Sequence, residues 1–166
     1  MRYSKDKTLN HVQSLAFPNC LKCLDLLVIR EGLCNSSGLF NPDILVLDLD
    51  CVEACLASKE RRLKVKSMDF AFAISGGEPT ELFMVLVELR FNYKNLQNLN
   101  RVELLGKVDG STIALGGSIP INEKKIFVFK DNLKEQAKSR LFRMNPQVPN
   151  NFIVMDVIEL KETYFN

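Results

Sequence analysis

Two acidic residues and one basic residue stand near the ends of two neighbouring apolar segments. Asp69 begins the segment "DFAFAIS", and Glu88 and Arg90 end the segment "ELFMVLVELR". Carboxylate oxygens are the ligands that Mg²⁺ prefers in proteins, and a bound divalent ion stabilises the charge that develops during phosphoryl transfer. These residues therefore indicate either metal-dependent phosphoryl chemistry or a group of paired charges.

Both segments alternate with the two-residue period of a β-strand, and the turn cluster "SGGEPT" separates them. Counting by twos places Asp69 on one face with Ala71, and Glu88 on one face with Arg90. An antiparallel hairpin of the two strands brings Asp69 close to Glu88. The second strand, predicted over 81–91, is apolar on both faces for most of its length, which is typical of a central strand covered by helices on both sides.

Other patterns predict the elements around this hairpin. A helix is predicted in "FPNCLKCLDLLVIREG" with Asn19 as its N-cap and Gly32 as its stop, and a second helix from Asn41 with Pro42 at its first position, although "ILVLDLD" also alternates like a strand. The segment 96–118 fits either a helix or a hairpin, and its first half favours a helix.

The last forty residues are predicted as strand, helix and strand. The strands are "KKIFVFK" and "NFIVMDVIEL", and the helix between them is "NLKEQAKSRLFR" with Asn132 as its N-cap. The resulting fold class is α/β, with a mixed β-sheet flanked by helices. We expect one domain over 1–166, with a helical N-terminal part at 9–58 and an α/β core at 59–166.

Composition fits one globular domain. The chain has 166 residues, of which 46% are hydrophobic and 25% are charged, and a net charge of only +2, so the whole-chain charge indicates no nucleic-acid or membrane partner. Two segments, 59–66 and 123–143, are rich in lysine and arginine. They are either solvated faces of the fold or an anion-binding surface for nucleic acid. The candidate residues of that surface are Arg61, Arg62, Lys64, Lys134 and Lys138.

The N-terminus lacks the apolar core of a signal peptide, and no segment is as long as a membrane span, which predicts a cytoplasmic protein. Five cysteines, an odd number, favour reduced thiols. Cys20 and Cys23 form a CxxC and Cys51 and Cys55 a CxxxC, which could hold a structural zinc, but their helical spacing favours core packing. His11, the single histidine, lies near an N-terminus that we expect to be mobile, which argues against a histidine-based triad.

The order of these elements resembles the restriction-endonuclease-like fold of the PD-(D/E)xK superfamily. Asp69 matches its first acid, and "Glu88-Leu89-Arg90" matches its Glu-x-Lys. The resemblance implies that Asp69 and Glu88 bind Mg²⁺ and that the third residue positions or activates water. Glu53 matches a helix-borne acid that some members add, or it is a solvent-facing helix residue.

Arg90 departs from this pattern, because a guanidinium stays protonated and cannot take a proton from water. The departure favours a catalytically degenerate protein that binds a protein partner, such as a toxin, as small bacterial immunity and inhibitor proteins that resemble this superfamily do. Such a protein needs no cofactor. The alternative is a Mg²⁺-dependent nuclease, or a nucleic-acid-binding relative, with Asp69, Glu88 and Arg90 as its catalytic residues.

The sequence also resembles a second family, which is an alternative to the first. "ILVLDLDCV" is similar to the first motif of haloacid-dehalogenase-like phosphatases, in which Asp48 would be the nucleophile and Asp50 the general acid and base. Ser75, Lys107 and Asp131 would supply the later motifs. Against it, more than forty residues precede the motif, and no paired acidic motif follows "IFVF".

Overall fold

A mixed β-sheet of seven strands runs through the part of the chain that the computed structural model describes, residues 2–33, 38–76, 78 and 81–166. The strands are β1 (Arg2–Tyr3), β2 (Leu21–Cys23), β3 (Leu45–Asp48), β4 (Phe70–Ser75), β5 (Leu82–Arg90), β6 (Ile121–Phe129) and β7 (Phe152–Met155). The α-helices are α1 (Lys5–Leu9), α2 (Val12–Ala16), α3 (Leu24–Arg30), α4 (Leu49–Glu60), α5 (Arg101–Leu115), α6 (Asp131–Phe142) and α7 (Val157–Tyr164), and one 3₁₀ turn spans Pro18–Cys20.

The strand order is β2-β3-β4-β5-β6-β7, and β1 pairs with β4. Strands β2 to β5 are antiparallel neighbours, whereas β5, β6 and β7 are parallel and are joined by the crossover helices α5 and α6. Helices cover both faces of the sheet, because each face is apolar and must be buried. The predicted α/β class, with a mixed sheet flanked by helices, is confirmed.

The two faces carry different cores. On one face, side chains of α4, α5 and α6 such as Val52, Leu104 and Ala137 pack against Leu86 and its neighbours on the sheet. The other face packs against α3 and α7 and is rich in aromatic rings. On that face Phe72 contacts the rings of Tyr3, Phe70, Tyr164 and Phe165.

The segment that follows α4 passes very close to α5 at Gly110. A Cβ atom at this glycine would lie 2.0 Å from the carbonyl oxygen of Lys66. The next residue fixes the same contact, because the Ser111 hydroxyl accepts a hydrogen bond of 2.7 Å from the backbone N–H of Met68. Helix α5 is therefore held against the segment that leads into β4.

The bounds predicted for the two N-terminal helices are wrong. The first covers only α3, because Leu21–Cys23 pairs with β3 as a strand. The second does not begin at Asn41, whose side chain accepts a hydrogen bond from the N–H of Asp43 in a local turn. The residues Leu45–Asp48 form β3, as the alternation of "ILVLDLD" allowed, and Asp48 then caps α4. The part predicted as helical, 9–58, thus contributes strands to the sheet.

In the C-terminal half, the predicted β4–β5 hairpin and the succession of helix, strand, helix and strand are confirmed. Segment 96–118 contains the long helix α5, which continues through Asp109 and Gly110 rather than turning there. Helix α6 begins at Asp131, so Asn132 is not its N-cap. The strand predicted over "NFIVMDVIEL" ends at Met155, because Asp156 and Glu159 form a capping box that starts α7.

Cys20 and Cys51 form a disulfide, whereas the cysteine content predicted reduced thiols. The prediction considered only the cellular compartment. It did not consider that the 3₁₀ turn and α4 place the two Cα atoms 5.4 Å apart, a separation suited to a disulfide. Cys23 and Cys55 are free thiols, and Cys34 lies outside the described residues.

Candidate functional site

The register of the β4–β5 hairpin places Asp69 opposite Glu88. Phe70 pairs with Val87, and the N–H of Asp69 donates to the carbonyl oxygen of Val87 over 3.1 Å. The backbone N–H of Leu89 donates to the Asp69 carboxylate. Both acids are buried, with 6% of Asp69 and 1% of Glu88 exposed. The hairpin therefore brings the two predicted acids together beneath the surface.

Two cations contact the same oxygen of Glu88. The Nε atom of Arg90 lies 2.9 Å from Glu88 Oε1, and the Nζ atom of Lys107, on α5, lies 2.6 Å from it. The lysine donates a hydrogen bond, whereas the contact with Arg90 is an ion pair without hydrogen-bond geometry. Within the described residues, Glu88 Oε2 is buried and has no hydrogen-bond partner.

Arg90 connects Glu88 to Tyr93 and to Glu103, which is partly exposed. Its guanidinium donates to the hydroxyl of Tyr93 over 2.7 Å and to Oε1 of Glu103, on α5, over 3.1 Å. The same guanidinium lies 5.4 Å from the centroid of the Tyr93 ring, within the range of a cation–π contact. We call this set the Glu88 cluster. Its members are Asp69, Glu88, Arg90, Tyr93, Glu103 and Lys107.

Burial dominates the electrostatics of the two acids. Burial, together with the charge of Glu88, raises the pKa of Asp69 to about 8, against the opposing effects of Lys107 and the Leu89 N–H. Burial also raises the pKa of Glu88, although Arg90 and Lys107 act in the opposite direction. At neutral pH Asp69 is therefore mostly protonated, and the Glu88 carboxyl group lies between two cations.

This arrangement does not fit the Mg²⁺ site that the sequence suggested for Asp69 and Glu88. A divalent ion needs carboxylate oxygens that it can reach, but the Leu89 N–H binds the buried Asp69 carboxylate, and one oxygen of Glu88 is occupied by Arg90 and Lys107. Among the described residues, neither acid belongs to a group of three or more potential ligands that converge within 4.8 Å.

A cleft of about 320 Å³ opens beside the cluster. Its walls carry three lysines, two acids, a valine and a serine. They are Lys64, Lys66, Lys107, Asp50, Glu103, Val65 and Ser67. A larger groove of about 640 Å³ lies elsewhere, between the 95–97 segment and α6, and includes no member of the cluster.

Glu53 does not face solvent and does not join the cluster. Only 1% of it is exposed, and both of its oxygens bind Arg62, at 2.6 and 3.1 Å. The backbone N–H of Val65 donates to the same carboxylate over 2.9 Å. Glu53 therefore anchors the segment after α4, and its prediction as a solvent-facing residue is wrong.

Asp48 and Asp50, the residues of the phosphatase resemblance, have structural contacts. Asp48 is buried, caps α4 through the Cys51 N–H and forms an ion pair of 2.7 Å with Arg30. Asp50 binds Ser67 and Lys64. Strand β3 is antiparallel to both of its neighbours, and Lys107 contacts Glu88 instead of Asp48. These contacts explain both aspartates without phosphatase chemistry.

Four of the five candidate anion-binding residues have acidic partners. Arg62 binds Glu53 and Glu60, Lys64 binds Asp50, Lys138 binds Glu135, and Lys134 binds Asp131, Asp156 and Glu159. Arg61 is exposed and ends α4 in a left-handed conformation. The positive charges of these four residues are thus partly compensated by local acids, whereas the structure shows no acidic partner for Arg61 among the described residues.

The expectation of a mobile N-terminus around His11 is wrong. His11 is 1% exposed, and its Nδ1 accepts a hydrogen bond from the N–H of Gln13 at the start of α2. Its Nε2 lies 3.2 Å from the hydroxyl oxygen of Ser118. The histidine therefore has a structural role in capping α2.

Sequence reasoning did not assign Lys107, Glu103 and Tyr93 to this site. The sequence contains one indication of this grouping. Glu103 and Lys107 are four residues apart and therefore share one face of α5. The uncertainty between helix and hairpin for 96–118 concealed this spacing.

Comparison of the chain with protein-family models, curated proteins and solved structures finds no match. Among the helices of the described residues, none combines the length and apolar character needed to cross a membrane.

Proposed function

We propose that the protein is a catalytically degenerate member of the restriction-endonuclease-like superfamily that acts by binding a protein partner, in the manner of an immunity or inhibitor protein. The observation that carries the proposal is the buried Glu88 carboxylate, which Arg90 and Lys107 contact at 2.9 and 2.6 Å. In this cluster the arginine at the lysine position of the family pattern is a counter-ion.

The element order supports the resemblance. The antiparallel hairpin β4–β5 precedes α5, the parallel strand β6, α6 and β7, which is the succession that the resemblance implies. Asp69 and Glu88 also lie across from each other, as the matching acids of the family pattern require. The element order and the positions of the acids support a common origin, while the burial of Asp69 and the ion pairs of Glu88 favour a structural role.

The outer face of α5 is the surface that we assign to the partner. Val102 and Ile113 are 74% and 72% exposed, and Gly106 lies between them with open space around it. These positions lie along one side of the helix, where Asp109 is the single charged residue. A helix face with few charges and exposed aliphatic side chains suits a protein partner with an apolar contact surface.

One observation favours a second candidate, a nuclease. Lys107 supplies a lysine beside Glu88 from α5, although the chain position of the family lysine holds Arg90. The lysines of the adjacent cleft would then face a phosphate backbone. This candidate requires that the Glu88 cluster open so that Asp69 and Glu88 become ionised and accessible.

Calorimetric titration with Mg²⁺ and Mn²⁺, alongside incubation with plasmid DNA and with RNA, distinguishes the two candidates. We expect neither metal binding nor cleavage from the wild type, and the same from Arg90→Lys, which restores the usual family residue. Metal-dependent cleavage that is lost in Glu88→Gln would support the nuclease and contradict the proposal. Circular dichroism checks that each variant is folded.

The partner surface is tested by co-purification from cell extract. The variant Val102→Glu/Ile113→Glu should lose a partner that the wild type retains, because two charges would be buried in an apolar contact. Leu15→Glu is the matched control, since Leu15 is 66% exposed on a different helix, α2. A partner that all three proteins retain equally would show that α5 is not the binding surface.

A further inference from the structure

Three cysteine sulfurs converge between the 3₁₀ turn and α4. Cys20 ends the turn and is completely buried, whereas Cys51 and Cys55 lie four residues apart on α4, on one face of the helix, and are half-buried. The Sγ atoms of all three lie within 4.8 Å of one another, and those of Cys20 and Cys55 are 4.0 Å apart. The fourth described cysteine, Cys23, does not belong to this group.

From this cluster we infer that reduced Cys20, Cys51 and Cys55 form a binding site for one thiophilic metal ion, with Zn²⁺ as the representative ion. A Zn–S bond of about 2.3 Å in tetrahedral geometry separates neighbouring sulfurs by about 3.8 Å. The distance of 4.0 Å between Cys20 and Cys55 is close to that value. Cys51 and Cys55 are half-buried, so this side of the cluster lies nearer to the surface than Cys20 does.

The disulfide makes the site dependent on oxidation state. While Cys20 and Cys51 are bonded, neither sulfur is a thiolate, so the metal and the disulfide exclude each other. A phosphine and one water molecule reduce the bond to two thiols and give the phosphine oxide. Zn²⁺ then replaces the three thiol protons, which leaves a site of net charge −1 with a fourth position open to water or another ligand.

This inference is independent of the proposed function, because it concerns α4 and the 3₁₀ turn rather than the Glu88 cluster. The chemistry of the ligands sets the specificity. Three thiolates favour zinc and other soft ions, whereas Mg²⁺ and Ca²⁺ prefer oxygen ligands.

The experiment measures zinc uptake by competition with a chromophoric chelator. Protein reduced by a phosphine and desalted without oxygen should bind one zinc ion per chain, and the disulfide form should bind none. Cys55→Ser should weaken binding at least about tenfold, because it removes one of three direct ligands. Cys23→Ser is the matched control and should bind like the wild type.

A second measurement needs no variant that alters the site. Zinc added to the reduced wild type should slow alkylation of Cys51 and Cys55 by iodoacetamide, measured by mass spectrometry of peptides, and leave Cys23 unaffected. The inference is overturned if the reduced protein takes up no zinc. It is equally overturned if Cys55→Ser binds like the wild type, if Cys23→Ser loses binding, or if zinc protects neither cysteine of α4.

Discussion

Glu53 and Glu88 are both glutamates with 1% of their surface exposed, and both contact an arginine, yet their pKa values move in opposite directions. The hydrogen bonds of Arg62 lower the pKa of Glu53, with help from the Val65 N–H, and outweigh burial. Burial raises the pKa of Glu88 in spite of Arg90 and Lys107.

Two differences explain these directions. Burial is the largest influence on the pKa of Glu88 but comes after the Arg62 hydrogen bonds for Glu53, and the two carboxylates also differ in how many of their oxygens have donors. Arg62 binds both oxygens of Glu53, and a backbone N–H adds a third hydrogen bond. In the Glu88 cluster both cations approach Oε1, and Oε2 lacks a hydrogen-bond partner among the described residues. The comparison teaches that burial and donor geometry together, more than the number of neighbouring cations, decide whether a buried carboxylate is stabilised.

The largest loss of stability is expected from Arg90→Ala. Removing this cation leaves Lys107 as the one direct counter-ion of Glu88 in the described cluster and removes the contacts with Tyr93 and Glu103. Breaking a buried ion pair in this way lowers the free energy of unfolding by about 3–5 kcal/mol. Urea denaturation measures it, and a change below about 0.5 kcal/mol would show that Arg90 behaves as a surface residue.

The second-largest loss of stability is expected from Glu53→Gln. The amide replaces one of the two acceptor oxygens by an NH2 donor, so Arg62 loses one of its two acceptor atoms and the negative charge is removed. We expect the free energy of unfolding to fall by about 1.5–3 kcal/mol, the range for hydrogen bonds to charged groups. Glu60→Gln is the matched control, because Glu60 binds the same arginine from an exposed position and should change stability by no more than about 0.5 kcal/mol. Equal effects of both substitutions would remove the distinction that the comparison draws.

Asp69→Asn tests the pH dependence that the raised pKa implies. The unfolded chain loses the Asp69 proton near its ordinary pKa of 3.8, whereas the folded protein keeps it up to about pH 8. Between these values the folded state binds more protons, so this residue makes stability decrease as pH rises, by up to about 1.4 kcal/mol per pH unit. Urea denaturation from pH 5 to 8 should show a shallower decline in Asp69→Asn than in the wild type. Identical slopes would mean that Asp69 is ionised in the folded protein at neutral pH.

The smallest loss of stability is expected from Glu103→Gln. Burial raises the pKa of Glu103, but Arg90, with help from Lys66 and Lys107, lowers it overall. The Glu103 side chain is 29% exposed, and solvent weakens its ion pair with Arg90. We expect a loss of no more than about 1 kcal/mol, which falls further in high salt. A loss as large as that of Arg90→Ala would show that the cluster acts as one inseparable unit.

Strand periodicity predicted the hairpin and the shared face of Asp69 and Glu88 correctly, because side chains in strands alternate with a fixed period. The N-terminal part was predicted less well. Leu21–Cys23 has helical spacing but pairs with β3, and a pairing between residues more than twenty positions apart leaves no local signal.

The partners of Glu88 could not be predicted from the hairpin alone. Lys107 reaches Glu88 across nineteen residues, and this contact depends on how α5 crosses from β5 to β6. The burial of Glu53 likewise depends on Arg62, which lies beyond the end of α4. Local patterns thus located the acids, whereas tertiary packing decided their charge state.

Gly110 gives α5 an uneven tolerance for substitution. A glycine inside a helix lowers helix propensity by about 1 kcal/mol relative to alanine, and α5 contains two, at positions 106 and 110. An alanine at 106 would meet no atom within 4 Å, so the chain could recover that propensity there. At 110 the carbonyl oxygen of Lys66 occupies the space of a methyl group. This close approach between α5 and the segment after α4 is therefore maintained at the expense of helix propensity, and any larger residue at 110 would push the two apart.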